Sequence, residues 1–141
     1  PKRSESEVYI LKKFDVTDTL KFVEKKEKVK PIRLIDNETG ESYILEFNRD
    51  TVKWAEQRGF VPEQVTQFPM TVGADFFFYS FRMHHKNIAR EKTDKILFDV
   101  LGGINETTGK IFARLMELYV ETYSTFSDEE AEENPRMAVE M

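Results

Sequence analysis

The residues able to do bond chemistry in this chain are few, and their spacing does not assemble them. There is no cysteine, which removes thiol nucleophiles, disulfide frameworks and Cys-based zinc or iron–sulfur sites. The only histidines are the neighbours His84 and His85. Adjacent side chains on a helix point about 100° apart, so both can face one metal only if the helix stops there. A metal reading needs a third ligand from Asp75 or Asp94. The alternative is a structural position at a helix C-terminus, where the dipole favours an imidazolium. Ser80 and His84 have i, i+4 spacing, but no third member or oxyanion donor accompanies them. The chain has no G-x-x-x-x-G-K, no G-x-G-x-x-G after a strand, no G-x-S-x-G and no H-E-x-x-H. The expectation is a protein without catalytic, cofactor or metal residues, one that works by gripping other proteins.

The elements that must position any such surface read as α+β. Ile32 and Leu34, then Tyr43, Leu45 and Phe47, alternate with polar residues on either side of Asp36-Asn37-Glu38-Thr39-Gly40, a hairpin over about 31–47. Asn48 caps a helix over about 49–58, with Phe47 and Val52 spaced as a hydrophobic staple, Trp54 flanking the inward stripe and Gly59 as the stop. Phe60 to Val65 reads as a short helical turn, and Phe68-Pro69 punctuates the chain before Thr71 offers a cap. Helices are then expected over about 72–84, 90–101 (ended by Gly102-Gly103) and 106–126, about four in all. Upstream, Glu7 to Phe14 suggests a short strand, while Lys21 to Lys30 could be a strand edge, a short helix or a connection.

The helix after Thr71 is the unusual one. With Phe76 at zero and about 100° per residue, Val72, Tyr79 and Met83 lie within about 60° of it, and Met70, Ala74, Phe77, Phe78 and Phe81 lie on nearly the opposite side. Both sides are apolar. Such a helix is either central, wrapped by its neighbours, or offers its second face to a partner. The last helix carries Phe112, Met116, Tyr119, Tyr123 and Phe126 on one stripe, with Ile111, Leu115 and Leu118 beside it, as core or interface.

Composition sets the outer bounds. The 141 residues suit one domain, expected over 1–126, and 40% hydrophobic with 13% aromatic residues can offset the entropy of ordering it. The net charge is −5, from 21 basic and 26 acidic residues. Early lysines alternate with Glu24 and Glu27 rather than forming a phosphate-binding stripe, so nucleic acid is not the expected partner. Asp128, Glu129, Glu130, Glu132 and Glu133 make 127–141 a mobile acidic tail by expectation, although Asn134 to Met141 regains apolar character and could dock as a strand. No membrane span and no signal-like stretch is expected, which points to the cytoplasm, and a start at Pro1 points to processing or trimming.

One longer pattern runs through these elements. The run Leu45-Glu46-Phe47-Asn48-Arg49-Asp50-Thr51-Val52-Lys53-Trp54-Ala55-Glu56, closed by Gly59-Phe60, is followed by Pro69-Met70-Thr71, then Phe77, Phe81-Arg82 and His84-His85. Lys92-Thr93-Asp94, Leu101-Gly102-Gly103 and Asn134-Pro135-Arg136-Met137 with Val139-Glu140 complete it. From about residue 40 onward this order resembles the tail assembly chaperones encoded by long-tailed phages and prophages of Gram-positive bacteria. The resemblance implies a non-catalytic protein of the host cytoplasm that coats the long, helical tape-measure protein and helps recruit tail-tube subunits. It brings no catalytic residue. The client would touch Val72, Phe76, Tyr79 and Met83, or the stripe of Phe112, Met116 and Tyr119, and a homo-oligomer is possible. The alternative expectation is a structural tail or connector protein retained in the virion.

Overall fold

A computed structural model describes residues 28–125 together with 136, 137 and 140. The expected strand at 7–14, the charged stretch up to residue 27, Phe126, and the acidic run with most of 127–141 lie outside the described residues. Two strands, β1 (Ile32–Ile35) and β2 (Ser42–Leu45), precede five α-helices: α1 (Arg49–Gln57), α2 (Gln64–Gln67), α3 (Ala74–Phe81), α4 (Arg90–Lys95) and α5 (Glu106–Glu121). Wider π-helical turns lead into α3 over Pro69–Gly73 and continue α4 over Ile96–Val100. The fold is α+β, as the residue pattern implies.

Local chemistry accounts for most boundaries. In the hairpin turn Asp36 Oδ1 accepts from the N–H groups of Glu38 (2.9 Å) and Thr39 (3.2 Å), and Gly40 takes φ 78°. Those backbone donors hold the Asp36 carboxyl below its ordinary range. The strands pair antiparallel with Ile32 opposite Leu45 and Leu34 opposite Tyr43, which turns these four side chains toward the core.

Asn48 Oδ1 accepts from the Thr51 N–H (2.8 Å) while Thr51 Oγ1 accepts from the Asn48 N–H (2.9 Å), a reciprocal cap on α1. At the far end the Phe60 N–H reaches Ala55 C=O and the Gly59 N–H reaches Glu56 C=O, with Gly59 at φ 84°. This left-handed closure turns the chain so that Phe60 enters the core. Asn105 and Thr108 repeat the reciprocal cap on α5.

Three helix limits differ from the sequence expectation. The helix expected over 72–84 begins at Pro69 and ends at Phe81, and Thr71 lies inside the π turn instead of capping it. Proline at the first helical position needs no donor there, so the chain starts the helix without a side-chain cap. The last helix stops at Glu121, where Thr122 Oγ1 donates to Tyr119 C=O (2.7 Å).

The core is built on α3. Phe47 and Phe60 both stack on Phe76, with centroids 5.4 and 5.2 Å away, and Tyr119 meets all three rings edge-on at 5.2, 5.6 and 5.8 Å. Phe77, Phe81, Leu45, Leu97, Leu115 and Leu118 are buried in the same cluster. Each aromatic pair of this geometry adds about 0.5–1.5 kcal/mol beyond its area burial.

Candidate functional site

The surface expected to meet a partner is largely interior, and that expectation is corrected here. Phe76 and Tyr119 are wholly buried, and Tyr79, Phe112 and Met116 are buried with them. Val72 and Met83 are half-buried. The cause is the chain reversal at Gly59 and the strand end at Phe47, which bring two rings onto the Phe76 face of α3. Phe77 and Phe81 close the opposite face. Most of both apolar faces of this helix is therefore used within one chain, with Val72, Phe78 and Met83 half-buried at the margins.

The candidate chemical residues take structural partners. His84 Nε2 lies 2.7 Å from Glu46 Oε1. His85 Nε2 accepts from the Ile44 N–H at 2.9 Å, which requires a neutral ring with its proton on Nδ1. Burial, and secondarily the neighbouring His84, lowers the His85 pKa, so geometry and electrostatics agree. The expectation of an imidazolium at a helix C-terminus does not describe His85. Asp75 and Asp94 are held by Arg90, at 2.7 Å from Nη1 and 2.8 Å from Nε. Ser80 Oγ donates to Phe77 C=O (2.6 Å), away from His84. Among the described residues no group of three or more His, Asp or Glu side chains could hold a metal ion.

Among the described residues two surface features stand out, both with apolar floors and both built at the wider helical turns. The first is a notch of about 270 Å³ between the turn leading into α3 and the start of α5, lined by Val65, Thr66, Pro69, Ile104, Asn105, Gly109 and Phe112. Phe68 and Met70, on either side of Pro69 in the chain, are 49% and 61% exposed, and Ile104 is 40% exposed. Gly73 lets the π turn approach α5: a Cβ there would stand 3.2 Å from Phe112 Cζ. The second is a cleft of about 360 Å³ between the hairpin turn and the end of α4, where Leu34, Tyr43, Ile96 and Leu101 are ringed by Asp36, Glu38, Glu41, Lys92 and Lys95.

Neither feature aligns a nucleophile with a base. What they can do is receive apolar side chains, with a charged rim at the second. Sequence reasoning missed Phe68 and Ile104 as a surface, because Phe68-Pro69 reads as punctuation and Ile104 belongs to no stripe, while Met70 reads only as part of the second face of the helix. An apolar residue on each side of a proline that starts a helix was the available signal. No helix among the described residues is long and apolar enough to cross a membrane.

No curated protein and no solved structure matches this sequence. A family match covers residues 23–141, from before the hairpin through the acidic end. The chain therefore belongs to the family described as Domain of unknown function (DUF5055).

Proposed function

We propose that this protein is a non-catalytic assembly chaperone of a long-tailed phage or prophage, holding the tape-measure protein in solution in the host cytoplasm and helping to recruit tail-tube subunits. The observation that carries the reading is the apolar notch lined by Val65, Pro69, Ile104 and Phe112, with Phe68 and Met70 exposed on either side of Pro69 in the chain. Met and aromatic residues are the types enriched where a surface must accommodate a partner. The resemblance over Leu45 to Glu140 supports the tape-measure protein as the client, and the exposed apolar notch supports a protein-binding role.

A client helix would set anchors at i, i+3, i+4 and i+7 into such a groove. Val65, Pro69, Ile104 and Phe112 would receive the anchors, and Phe68 and Met70, exposed on either side of Pro69, would add apolar contact beside them. This assignment replaces the buried set of Phe76, Tyr79, Phe112, Met116 and Tyr119 as the contact surface, although Phe112 still reaches the notch from below.

The test is co-expression with a tape-measure protein. A soluble complex is expected, lost when Phe68 and Met70 are both replaced by serine. A client equally soluble alone, or one that never co-purifies, overturns the proposal. Mass spectrometry of purified virions tests the other assignment, since a chaperone leaves the particle and a connector stays at ring stoichiometry.

A further inference from the structure

The hairpin has two outer edges, and the described residues occupy one of them. Along an antiparallel strand, successive residues aim their N–H and C=O groups alternately toward the partner strand and away from it. On β2 the outward donors are identified by what they reach: the Ile44 N–H donates to His85 Nε2 (2.9 Å) and the Glu46 N–H to Ser80 C=O (3.0 Å). Helix α3 and the turn after it thus close that edge. Ile44 stands opposite Arg33 and Ser42 opposite Ile35, so the main-chain groups of Arg33 and Ile35 point outward on the far side of β1. No backbone hydrogen bond among the described residues reaches them. Arg33 is exposed and Ile35 is 56% exposed. Pro31, the next outward position, has no N–H and bounds the edge.

We propose that the outer edge of β1 docks β1 of a second copy of this chain, antiparallel about a twofold axis at Leu34, giving one sheet continuous across both copies. Strand addition of this kind takes its affinity from main-chain hydrogen bonds at an open edge. The register selects a second copy as the occupant. With Leu34 opposite Leu34 of the partner subunit, Arg33 falls opposite Ile35 of the partner subunit, and the two outward residues exchange both of their hydrogen bonds, twice by symmetry. A register centred on Arg33 opposes two guanidinium groups, which is destabilising, and sets Ile35 against the donorless Pro31. A register centred on Ile35 leaves Arg33 beyond the strand end. The symmetric arrangement uses the whole open edge, opposes no like charges and covers Ile35, as an isologous interface must.

The interface is short, so a weak, concentration-dependent dimer is expected. Sedimentation of the full chain over a concentration series, without any client, reads it directly and is independent of the chaperone proposal. Amide exchange at Arg33 and Ile35 should slow as the dimer fills and recover on dilution. Arg33→Pro removes an outward donor while leaving the inward pairing to β2 intact, and Ile35→Lys sets like charges opposite each other. Both variants should be monomeric with thermal unfolding close to wild type. If Arg33→Pro does not fold, Ile35→Lys carries the test alone. A chain that stays monomeric throughout overturns the proposal, as does a dimer that survives Ile35→Lys. So do Arg33 and Ile35 amides that are slow at every dilution, since the edge would then be covered from within the chain.

Discussion

Replacing Tyr119 by phenylalanine should make this protein more stable, an unusual direction for a change at the centre of a core. Tyr119 is wholly buried among Phe47, Phe60 and Phe76, and its hydroxyl has no hydrogen-bond partner among the described residues. A buried hydroxyl without a partner costs about 1–3 kcal/mol, whereas the ring contributes its edge contacts whether or not the oxygen is present. Removing the oxygen alone should therefore gain about 1 kcal/mol, the low end of that range, because a small void is left behind. For a domain of this size that raises the midpoint of thermal unfolding by about 3–5 °C.

Alkaline pH gives a second, independent reading of the same site. Burial is the main cause that pushes the Tyr119 pKa far above its ordinary value of 10.0, with Tyr123, Glu56 and Glu63 adding to it. The folded state holds this phenol neutral while the unfolded state ionises it, so its contribution is complete below the unfolded pKa and is lost as pH rises past it. Tyr119→Phe lacks this loss, and its advantage over wild type should widen by about 1.4 kcal/mol between about pH 9 and pH 11. Urea unfolding at the two pH values measures both effects, and Tyr119→Ala, expected to lose about 3–5 kcal/mol, reports the ring. A Tyr119→Phe variant less stable than wild type by about 1 kcal/mol would refute the reasoning, because the hydroxyl must then be bonded.

Asn48→Ala should cost about 1 kcal/mol by removing one half of the reciprocal cap on α1, read by chemical denaturation. His85→Gln should flatten the acid limb of the stability curve: the His85 pKa is lowered in the fold, so its contribution is present above about 6.5 and is lost as pH falls from there toward the folded value. Phe68→Ser with Met70→Ser should shift stability by no more than about 0.5 kcal/mol, since both side chains lie in solvent, while client binding is lost in a pull-down.

Much of the architecture was legible because it is governed by neighbours in sequence. The hairpin follows from alternation around Asp36 to Gly40, α1 from Asn48 and Gly59, and α5 from the stripe of Phe112, Met116 and Tyr119. The burial of Phe76, Tyr79, Phe112, Met116 and Tyr119 was not legible. Two opposed apolar faces on one helix leave the choice between core and partner open, and the choice is made by Phe47 and Phe60, which arrive from other elements. Val72 and Met83 share the Phe76 stripe yet stop at its margin. The notch was hidden for the converse reason, because Val65, Pro69, Ile104 and Phe112 come from separate elements and form no periodic stripe. The extension of α3 back to Pro69 escaped notice because a π turn follows no 3.6-residue pattern, and its tolerance rests on Gly73 beside the Phe112 ring.

The joint between β2 and α3, where Ile44 and Glu46 donate to His85 and Ser80, also bears on how the chain folds. A two-stranded hairpin alone is marginal in water, and the Ile44–His85 bond spans 41 residues of sequence. Loop closure over that distance must be paid before the bond can form. We therefore expect the helices to assemble first and the sheet to crystallise on them late. Mutations in the Asp36 to Gly40 turn should then speed unfolding while leaving the folding rate nearly unchanged, and stopped-flow chevrons in which folding slows instead would place the hairpin in the nucleus.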